Sequence, residues 1–295
     1  MTWRCIHLNY ELLSPMHIGY HKFSNVQKTR YYVPARNLWG AITERLTRSG
    51  FKTDGVFEGD YGQVGSWVKD HLAFTYFFLV DGIDILRPKF TEDNLYYGKL
   101  SEYEFERRYL SSHVTTALEA ETSSAEQNSL HEVEFIAEFS KTTQNIHRTQ
   151  LNGVVFLDDV ASQVLGDKDT WKQWLNEVQV GGERRYGFGR IRLSENGWSE
   201  LSEDKILSNY TVKCDQQRPL IKVDKGESIL AHALYPNVLG RGSIEPLVGR
   251  ETDTRNSQAF GYKLTKAKIC WVPGTVLESA TSFLINRDGL WENAI

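Results

Sequence analysis

The order of hydrophobic patterns along the chain constrains its fold more than any other sequence feature. Polar and apolar residues alternate over Cys5–Leu13, as they do in a strand with one buried face. The pattern then takes on a helical period, because Leu38, Ile42 and Leu46 recur every fourth residue after Val33–Ala35. The sequence therefore begins with a strand followed by an amphipathic helix.

A second helical pattern lies further along the chain. Its apolar side chains fall at i, i+3, i+4 and i+7, and they are Trp171, Trp174, Leu175 and Val178. Asp167 or Asp169 is placed to cap the first turn. Gly181-Gly182 is predicted to end this helix, and a strand is predicted to resume over Phe188–Leu193.

Further strands are predicted between the helices, over Leu72–Val80, His131–Phe139 and Leu151–Leu157. The resulting order of strand, helix, strands, helix and strand is that of a ferredoxin-like, RNA-recognition-type fold. We therefore predict an α+β protein whose residues 1–195 form a ferredoxin-like domain with long insertions. A polar stretch follows, and residues 196–295 are predicted to form a second, smaller α+β domain.

Three segments have neither period and are predicted to lie outside the regular elements. Residues 51–66 are rich in glycine and aspartate and predict a loop. Lys22–Arg30 is polar and basic without periodicity, which predicts another loop. Tyr96–Asn128 is polar and rich in charge, and we expect it to leave the core as an excursion.

The charge balance limits how the protein can bind nucleic acid. The formal net charge is −4, whereas proteins that coat nucleic acid through their overall charge carry a basic excess. Any such contact must therefore use basic residues concentrated at one place. An acidic protein without a nucleic-acid role is the alternative on composition alone.

The cysteines and apolar runs exclude several other classes. Cys5, Cys214 and Cys270 are too few and scattered to imply a disulfide framework or a zinc site, so no metal or cofactor is predicted. The longest apolar run, Leu72–Val80, is too short to cross a bilayer, and the first residues lack the apolar core of a signal peptide. The sequence predicts a cytoplasmic protein with no membrane partner.

The strongest motif is Val180–Arg192, which contains four glycines and four arginines. Glycines allow positive φ and a close approach of the backbone to a ligand, and successive amides in such a turn can bind an anion. Arginines donate to phosphate in a bidentate manner, and Tyr186 and Phe188 can stack on bases. The alternative is a tight turn whose arginines are merely solvated. A nucleotide phosphate-binding loop is disfavoured, because the Lys-Ser/Thr ending is absent and a strand follows.

This motif resembles the glycine-rich loop of the RAMP superfamily, the repeat-associated proteins of CRISPR systems. Two further parts of the chain are similar to that superfamily and occur in the expected order. They are Ser14–Gly19 followed by Tyr32–Ala41, and Thr116–Ala125 followed by Leu130–Glu134. The resemblance covers most of residues 14–193. It implies a subunit of a type III, possibly III-D, CRISPR effector that binds crRNA.

Some residues depart from the superfamily pattern. The first helix opens with Pro34-Ala35-Arg36-Asn37, where the family usually has Pro-Gly-Ser-Ser, and His131 stands where the family has phenylalanine. Lys22–Arg30 contains no aspartate, whereas target-cleaving backbone subunits resemble one another in carrying one near this position. A non-catalytic subunit is therefore expected.

About a hundred residues follow the glycine-rich loop, and they favour a subunit that caps the 5′ handle of the crRNA. Three alternatives stay open: a backbone subunit that lines the guide–target duplex, a metal-independent endoribonuclease that processes CRISPR transcripts, and a scaffold that binds only protein. The resemblance implies crRNA and other effector subunits as partners, with target RNA contacted indirectly. Tyr96–Asn128 would act as a thumb across the guide or a neighbouring subunit.

The predicted RNA-binding residues are the glycine-rich loop and a basic surface around the first helix. They are His17, Tyr20, Lys22, Lys28, Arg30, Arg36, Arg45, Gly181, Gly182, Arg184, Arg185, Tyr186, Gly187, Phe188, Gly189 and Arg190. No catalytic residue is predicted. Histidine is the residue type to consider for catalysis, since some RAMP proteins cut RNA with one. His17 is expected to pack or stack beside the RNA instead.

Overall fold

The computed structural model describes residues 2–54, 58–92, 94–122, 124–126, 129–141, 146–202, 210–215, 217–251, 263–287 and 289–294. The helices, in chain order, are α1 (Ala35–Arg48), α2 (Tyr61–His71), α3 (Glu102–Tyr109), α4 (Asp159–Leu165) and α5 (Lys168–Leu175). A short 3₁₀ turn, Arg184–Tyr186, lies within the glycine-rich motif.

The strands of the first two-thirds of the chain are β1 (Arg4–Leu12), β2 (Gly19–Phe23), β3 (Val26–Thr29), β4 (Tyr32–Val33), β5 (Leu72–Phe74), β6 (Phe77–Asp81), β7 (Asp84–Ile85), β8 (Pro88–Thr91), β9 (Asn94–Tyr97), β10 (Leu100–Ser101), β11 (Leu110–Thr115), β12 (His131–Ile136), β13 (Phe139–Lys141), β14 (Ile146–Arg148), β15 (Gln150–Leu157), β16 (Glu177–Gln179) and β17 (Arg190–Leu201). The later strands are β18 (Thr211–Lys213), β19 (Leu220–Val223), β20 (Ala233–Leu234), β21 (Gly240–Arg241), β22 (Ile244–Leu247), β23 (Arg250–Glu251), β24 (Lys263–Leu264), β25 (Lys268–Trp271), β26 (Val276–Leu277), β27 (Thr281–Ile285) and β28 (Trp291–Asn293).

The central sheet has the order β16-β17-β1-β15-β6-β4, with β5 beside β15 and β7 beside β6. β1 lies between β15 and β17 and is antiparallel to both. The alternation predicted for β1 is confirmed, and its buried side chains include Ile6, Leu8, Tyr10 and Leu12. Burying each such apolar side chain contributes roughly 1.5–3 kcal/mol. The protein is thus a mixed α+β structure organised around its first strand.

Helices α1, α4 and α5 pack beside this sheet. The predicted core face of α1 is confirmed, because Leu38, Ile42 and Leu46 are buried. Trp171 of α5 is fully buried, and its Nε1–H donates to the Tyr10 hydroxyl (3.1 Å). That hydrogen bond connects α5 to β1.

A smaller sheet, which we call the hairpin sheet, projects beside the central sheet. Its strand order is β11-β12-β3-β2, so two hairpins that are distant in sequence meet through the parallel pair β3 and β12. β2 and β3 come from Gly19–Thr29, β11 lies in the predicted excursion Tyr96–Asn128, and β12 follows it. The first part of that excursion does not leave the core, because Tyr97, Phe105 and Tyr109 are buried in it. Within that excursion, residues 123, 127 and 128 lie outside the described residues.

The chain after residue 210 forms a further sheet in the order β18-β19-β27-β28-β20-β25-β22. Over the described part of residues 210–294 the structure has strands but no helix, so the predicted α+β character of the second domain is not observed there. Buried residues there alternate along the strands, as Ile221 and Val223 do on β19 and Phe283 and Ile285 do on β27, which is the period of a strand.

The predicted boundary at residue 196 falls inside β17. This strand continues to Leu201, which lies opposite Cys5 of β1, because its second half completes the edge of β1. Residues 203–209, which belong to the predicted boundary, lie outside the described residues. One hydrophobic core extends from Ile6 to Phe283 and Trp291 across both parts of the chain. The division into two domains stays a prediction.

The loop predicted over residues 51–66 is wrong for its last third, because α2 begins at Tyr61. The Asp60 carboxylate caps this helix by accepting the amide of Gln63 (3.0 Å). Gly65, which favours a loop in the sequence, lets α1 approach. A Cβ there would lie 3.2 Å from the Trp39 ring and 3.3 Å from the Thr43 methyl.

The loop predicted over Lys22–Arg30 is also wrong, because β2 and β3 form a hairpin there. Every residue of β2 is exposed, so no alternation of burial marks the strand in the sequence. Ser24 takes a φ of 55° at the turn.

Three predicted elements divide or end early, and one of them, His131–Phe139, divides into β12 and β13. Leu72–Val80 is split into β5 and β6, because Thr75 turns its amide to the carbonyl of Val154 (3.0 Å). Helix α5 ends at Leu175, and Val178 is buried instead on β16, opposite Ile191. The glycine-rich motif therefore follows a short strand rather than a helix.

Candidate RNA-binding surface

The glycines of the motif are required by backbone geometry. Gly181, Gly187 and Gly189 have φ values of 91°, 85° and 78°, which side chains rarely allow. A Cβ at Gly181 would lie 2.3 Å from the carbonyl oxygen of His17, and one at Gly189 would lie 1.9 Å from that of Val180. The two ends of the loop are therefore closed against backbone.

Hydrogen bonds hold the loop against the segment that follows β1. The amide of Gly182 donates to the His17 carbonyl (2.8 Å), and that of Gly189 donates to the Pro15 carbonyl (2.7 Å). The amide of Arg190 donates to the Ser14 hydroxyl (3.0 Å). Two of the segments that resemble the RAMP superfamily are thus in direct contact.

The middle of the loop is a 3₁₀ turn. The amides of Tyr186 and Phe188 donate to the Glu183 carbonyl, and that of Gly187 donates to the Arg184 carbonyl. Several of the amides expected to bind phosphate are therefore already used within the protein. The exposed side chains of the tip are what the loop offers to a ligand.

Gln179 braces the loop from below and was missed by sequence reasoning. Its Nε2 donates to the carbonyls of Arg184 (3.1 Å) and Phe188 (2.8 Å). No sequence signal marks this role, since a glutamine in a strand is ordinarily a solvated side chain.

The arginines of the motif differ in their partners. Arg184 pairs with Glu44 of α1 (2.7 Å). Glu177 holds Arg192 (2.7 Å) and Arg190 (3.4 Å), and the hydrogen bond from Arg192 contributes most to lowering the pKa of this carboxyl. Arg185 is exposed and forms no ion pair with any residue that the structure describes.

The tip of the loop therefore combines one uncommitted cation with an aromatic ring. Tyr186 is 77% exposed and lies between Arg185 and Gly187 in the chain. Nothing lies within 4 Å of where a Cβ on Gly187 would be, so the tip is open. Phe188 is turned inward and meets the ring of Phe135 on β12 edge to face, with 5.4 Å between centroids. An exposed guanidinium beside an exposed ring can bind a phosphate and a base together.

His17 lies beneath the loop and not on its surface. Its side chain is 4% exposed, and Nδ1–H donates to the Glu134 carbonyl (2.7 Å). The ring lies 3.2 Å from the position of a Cβ on Gly182. His17 thus packs beneath the glycine-rich loop, and its predicted packing or stacking beside RNA stays a prediction.

The basic residues of the predicted hairpin segment are not equivalent. Lys22 is exposed on β2, whereas Lys28 donates to the Glu134 carboxylate (2.5 Å), and this hydrogen bond raises the pKa of the lysine. Tyr20 is 44% exposed, and the Arg30 guanidinium lies 4.5 Å from its ring centroid.

Arg30 does not form part of a basic surface. It pairs with Glu245 (2.7 Å), and both side chains are largely buried between the central sheet and the later strands. Arg36 lies against Gly249, where a Cβ would come 2.7 Å from its Nε. These positions were predicted from charge alone, and tertiary packing decides their partners.

Arg45 is also committed within the protein. Its Nε–H donates to the Trp174 carbonyl (3.1 Å), where it satisfies the C-terminal turn of α5. Of the predicted set, the exposed side chains that remain without an ion pair among the described residues are Lys22, Arg185, Tyr20 and Tyr186.

The residues that the structure describes contain neither a metal-ligating cluster nor a membrane-spanning helix. No group of three or more histidine, cysteine, aspartate or glutamate side chains is placed there to hold a metal ion. No helix in the described ranges is both long and apolar enough to span a membrane.

The fold and the loop define a class of protein, an α+β domain whose glycine-rich motif closes against the end of its first strand. The RAMP superfamily profile matches residues 9–192, which is more than half of the chain, and the chain belongs to this superfamily. No curated protein sequence matches the chain significantly.

The solved structures that are similar to this chain include two RNA-bound CRISPR complexes. One is the cryo-EM structure of type III-B Cmr-beta bound to cognate target RNA and AMPPnP (state 1), with a TM-score of 0.55 and 10% identity. The other is type III-B Cmr-beta bound to cognate target RNA, with a TM-score of 0.52 and 11% identity. Each match covers 92% of this chain and 86% of the other. At these identities the likeness establishes the fold.

Proposed function

We propose that this protein is a non-catalytic crRNA-binding subunit of a type III CRISPR effector complex. The superfamily membership and the fold shared with chains of RNA-bound Cmr-beta structures support this function. The observation that carries it is the exposed Arg185 and Tyr186 at the tip of a loop whose ends are fixed by glycines. Phosphate contacts of this kind position RNA without reading its sequence.

We also propose that the first domain is ferredoxin-like. The ferredoxin-like order is β-α-β-β-α-β, and the chain follows it with β1, α1, β6, β15, α5 and β17. Their strands lie in the spatial order β17-β1-β15-β6, and each neighbouring pair is antiparallel. β2, β3, α2 and the elements between β7 and β14 would be the insertions.

The subunit is proposed to cap the 5′ handle of the crRNA, with other effector subunits as neighbours and target RNA contacted indirectly. The sheet formed after residue 210 supports this position, because it adds a substantial body after the glycine-rich loop. Counting copies of the chain in the assembled complex tests the position. One copy per guide is expected, whereas several copies along the guide would indicate the backbone role.

Removing the side chains of the loop tip tests RNA binding. We expect Arg185→Ala combined with Tyr186→Ala to weaken binding of a labelled single-stranded RNA of repeat-derived sequence. The loss should be on the order of tenfold or more, because a phosphate contact and a stacked base are lost together. Fluorescence anisotropy over a salt series is the measurement.

Lys222→Ala is the matched control, since Lys222 is an exposed lysine on β19 of the later sheet. Arg184→Ala is a poorer test, because it also leaves Glu44 without this partner. Equal affinities of the double variant and the unaltered chain would contradict the proposal and favour a scaffold that binds only protein.

The enzyme alternative is tested with the same RNA. Exposed histidines such as His21 and His113 lie on the hairpin sheet, whereas His17 is buried. We expect no cleavage of the RNA in EDTA. Clean cleavage that is lost in His21→Ala or His113→Ala would replace the non-catalytic role with that of a metal-independent endoribonuclease.

A further inference from the structure

We propose that RNA held at the glycine-rich loop continues across one particular face of the hairpin sheet, where Lys22, Gln27 and His113 contact it. This inference rests on the proposed function and extends it to a second group of residues. The RNA is single-stranded at this place and is contacted through phosphates and ribose hydroxyls. We call this surface the loop-side face.

Strand register places the three residues in one row. Lys22 lies opposite Gln27, Gln27 opposite Val133, and Val133 opposite His113. Residues directly opposite one another across neighbouring strands project from the same face of a sheet. The row therefore crosses all four strands on a single side.

The glycine-rich loop lies on that same side. Phe135 is two residues after Val133 on β12, so it projects from the same face. Its ring meets that of Phe188 in the loop, with 5.4 Å between centroids. The exposed tip with Arg185 and Tyr186 is separated from Phe188 by one glycine. The loop therefore lies on the same face of the sheet as the row, in which Val133 is buried while Lys22 and His113 are exposed.

Charge is segregated between the two faces. The acidic residues of the four strands are Glu132 and Glu134, and both alternate onto the opposite face, as does Lys28. The strand residues of the loop-side face include no carboxylate. On the loop-side face, RNA phosphates therefore meet hydrogen-bond donors and no strand carboxylate. On the opposite face they would be repelled by two carboxylates.

The residues of the row suit a polynucleotide backbone. Lys22 and His113 are exposed and Gln27 is half-buried between them. An ammonium group, an amide and an imidazole can donate to phosphate oxygens or pair with a ribose hydroxyl. None of them stacks on an aromatic ring within the described protein, unlike His21, whose ring lies 3.7 Å from that of Tyr20.

The test compares basic residues on the two faces of the hairpin sheet. Full-length protein carrying Lys22→Gln and His113→Gln is titrated against a fluorescein-labelled single-stranded RNA of repeat-derived sequence over a salt series. We expect on the order of tenfold weaker binding. The logarithmic salt slope should fall by about 0.7 for each phosphate contact removed from a single strand. Lys28→Gln is the matched control and should bind like the unaltered chain.

The outcomes separate this inference from the proposed function. If Arg185→Ala with Tyr186→Ala weakens binding while Lys22→Gln with His113→Gln does not, the path across the sheet is wrong and the loop assignment stands. If Lys28→Gln weakens binding as much as the loop-side pair, the choice of face is wrong. If neither the tip variant nor the loop-side variant changes affinity, the RNA-binding function itself is contradicted.

Folding does not confuse this comparison. Lys22 and His113 are exposed, and substitution by glutamine keeps polar side chains at both positions. A thermal melt of each variant checks this directly. If the double variant has a lower melting temperature, Lys22→Gln alone is measured. Lys22 lies on the exposed edge strand β2, so replacing this side chain leaves the rest of the sheet unchanged.

Discussion

At the scale of single residues, the glycine-rich loop contains glycines needed for two different reasons. Gly181 and Gly189 have both a positive φ and a neighbouring carbonyl that excludes any Cβ. Gly187 has a positive φ, but nothing lies within 4 Å of where its Cβ would be. The sequence shows four glycines alike, and only the packed loop distinguishes them.

The distinction gives a prediction for Gly189→Ala. The added methyl would overlap the Val180 carbonyl at 1.9 Å, so the loop must shift as well as adopt a strained φ. We expect a loss of at least about 2–3 kcal/mol of unfolding free energy, with weaker RNA binding. Urea denaturation and anisotropy measure the two effects.

Gly187→Ala is the control for that change. It carries only the conformational cost of a side chain at positive φ, about 1–2 kcal/mol. Equal destabilisation by both variants would show that steric closure at Gly189 contributes nothing.

At the scale of elements, capping and strand exposure explain most differences between prediction and structure. β1, α1 and α5 have hydrophobic periods, and β15 is a continuous run of buried residues. All four form where they are predicted, although α5 ends before Val178. β2 has no buried face, so its sequence shows no period. In α2 the buried apolar residues Val64, Trp67 and Val68 do fall at i, i+3 and i+4, but this period covers little more than one turn and lies beside glycines. The surroundings of these segments decide their structure.

The cap of α2 is testable. Asp60→Ala removes the acceptor of the Gln63 amide and should destabilise the protein by about 1 kcal/mol. Asp60→Asn keeps an acceptor at the same position and should retain most of that stability. Guanidinium denaturation followed by circular dichroism provides the comparison, and identical midpoints for alanine and the unaltered chain would contradict the assigned cap.

At the scale of the whole molecule, a buried polar network joins the central sheet to the later strands. Glu245 accepts from Arg30 (2.7 Å) and from His232 Nε2–H (2.5 Å), and the Tyr76 hydroxyl donates to His232 Nδ1 (2.7 Å). Burial alone would raise the pKa of Glu245, but the hydrogen bond from His232 and the charge of Arg30 outweigh it and lower this pKa to about 2.

Glu245→Gln should therefore destabilise the protein strongly. Arg30 would keep its buried charge without a counter-ion, and breaking a buried pair in this way costs about 3–5 kcal/mol. Glu227→Gln is the matched control, because Glu227 pairs with Lys89 at the surface, and it should cost less than about 1 kcal/mol. Chemical denaturation at neutral pH measures both.

The stabilisation that Glu245 provides should depend on pH. The folded pKa of Glu245 lies below its ordinary value of 4.5, so its contribution is present above pH 4.5 and is lost as pH falls towards 2. The difference in unfolding free energy between the unaltered chain and Glu245→Gln should narrow over that range.

His232 adds a separate acid sensitivity. Burial lowers its pKa below the ordinary 6.5, so stability begins to fall as pH drops past 6.5, before Glu245 protonates. For Glu245, the contradicting result is a difference in unfolding free energy between the unaltered chain and Glu245→Gln that stays constant from pH 6 to pH 3.

The sequence by itself determined the strong periodic elements, the glycine-rich motif and the superfamily, because burial periods, glycine spacing and basic clusters are local properties of a chain. Only the tertiary structure decided which cations are available. Arg30, Arg45 and Arg184 are paired by residues distant in sequence, and strand register places Lys22 and Lys28 on opposite faces of one sheet. The sequence shows which side chains are charged, whereas their exposure and their ion pairs depend on which segments pack together.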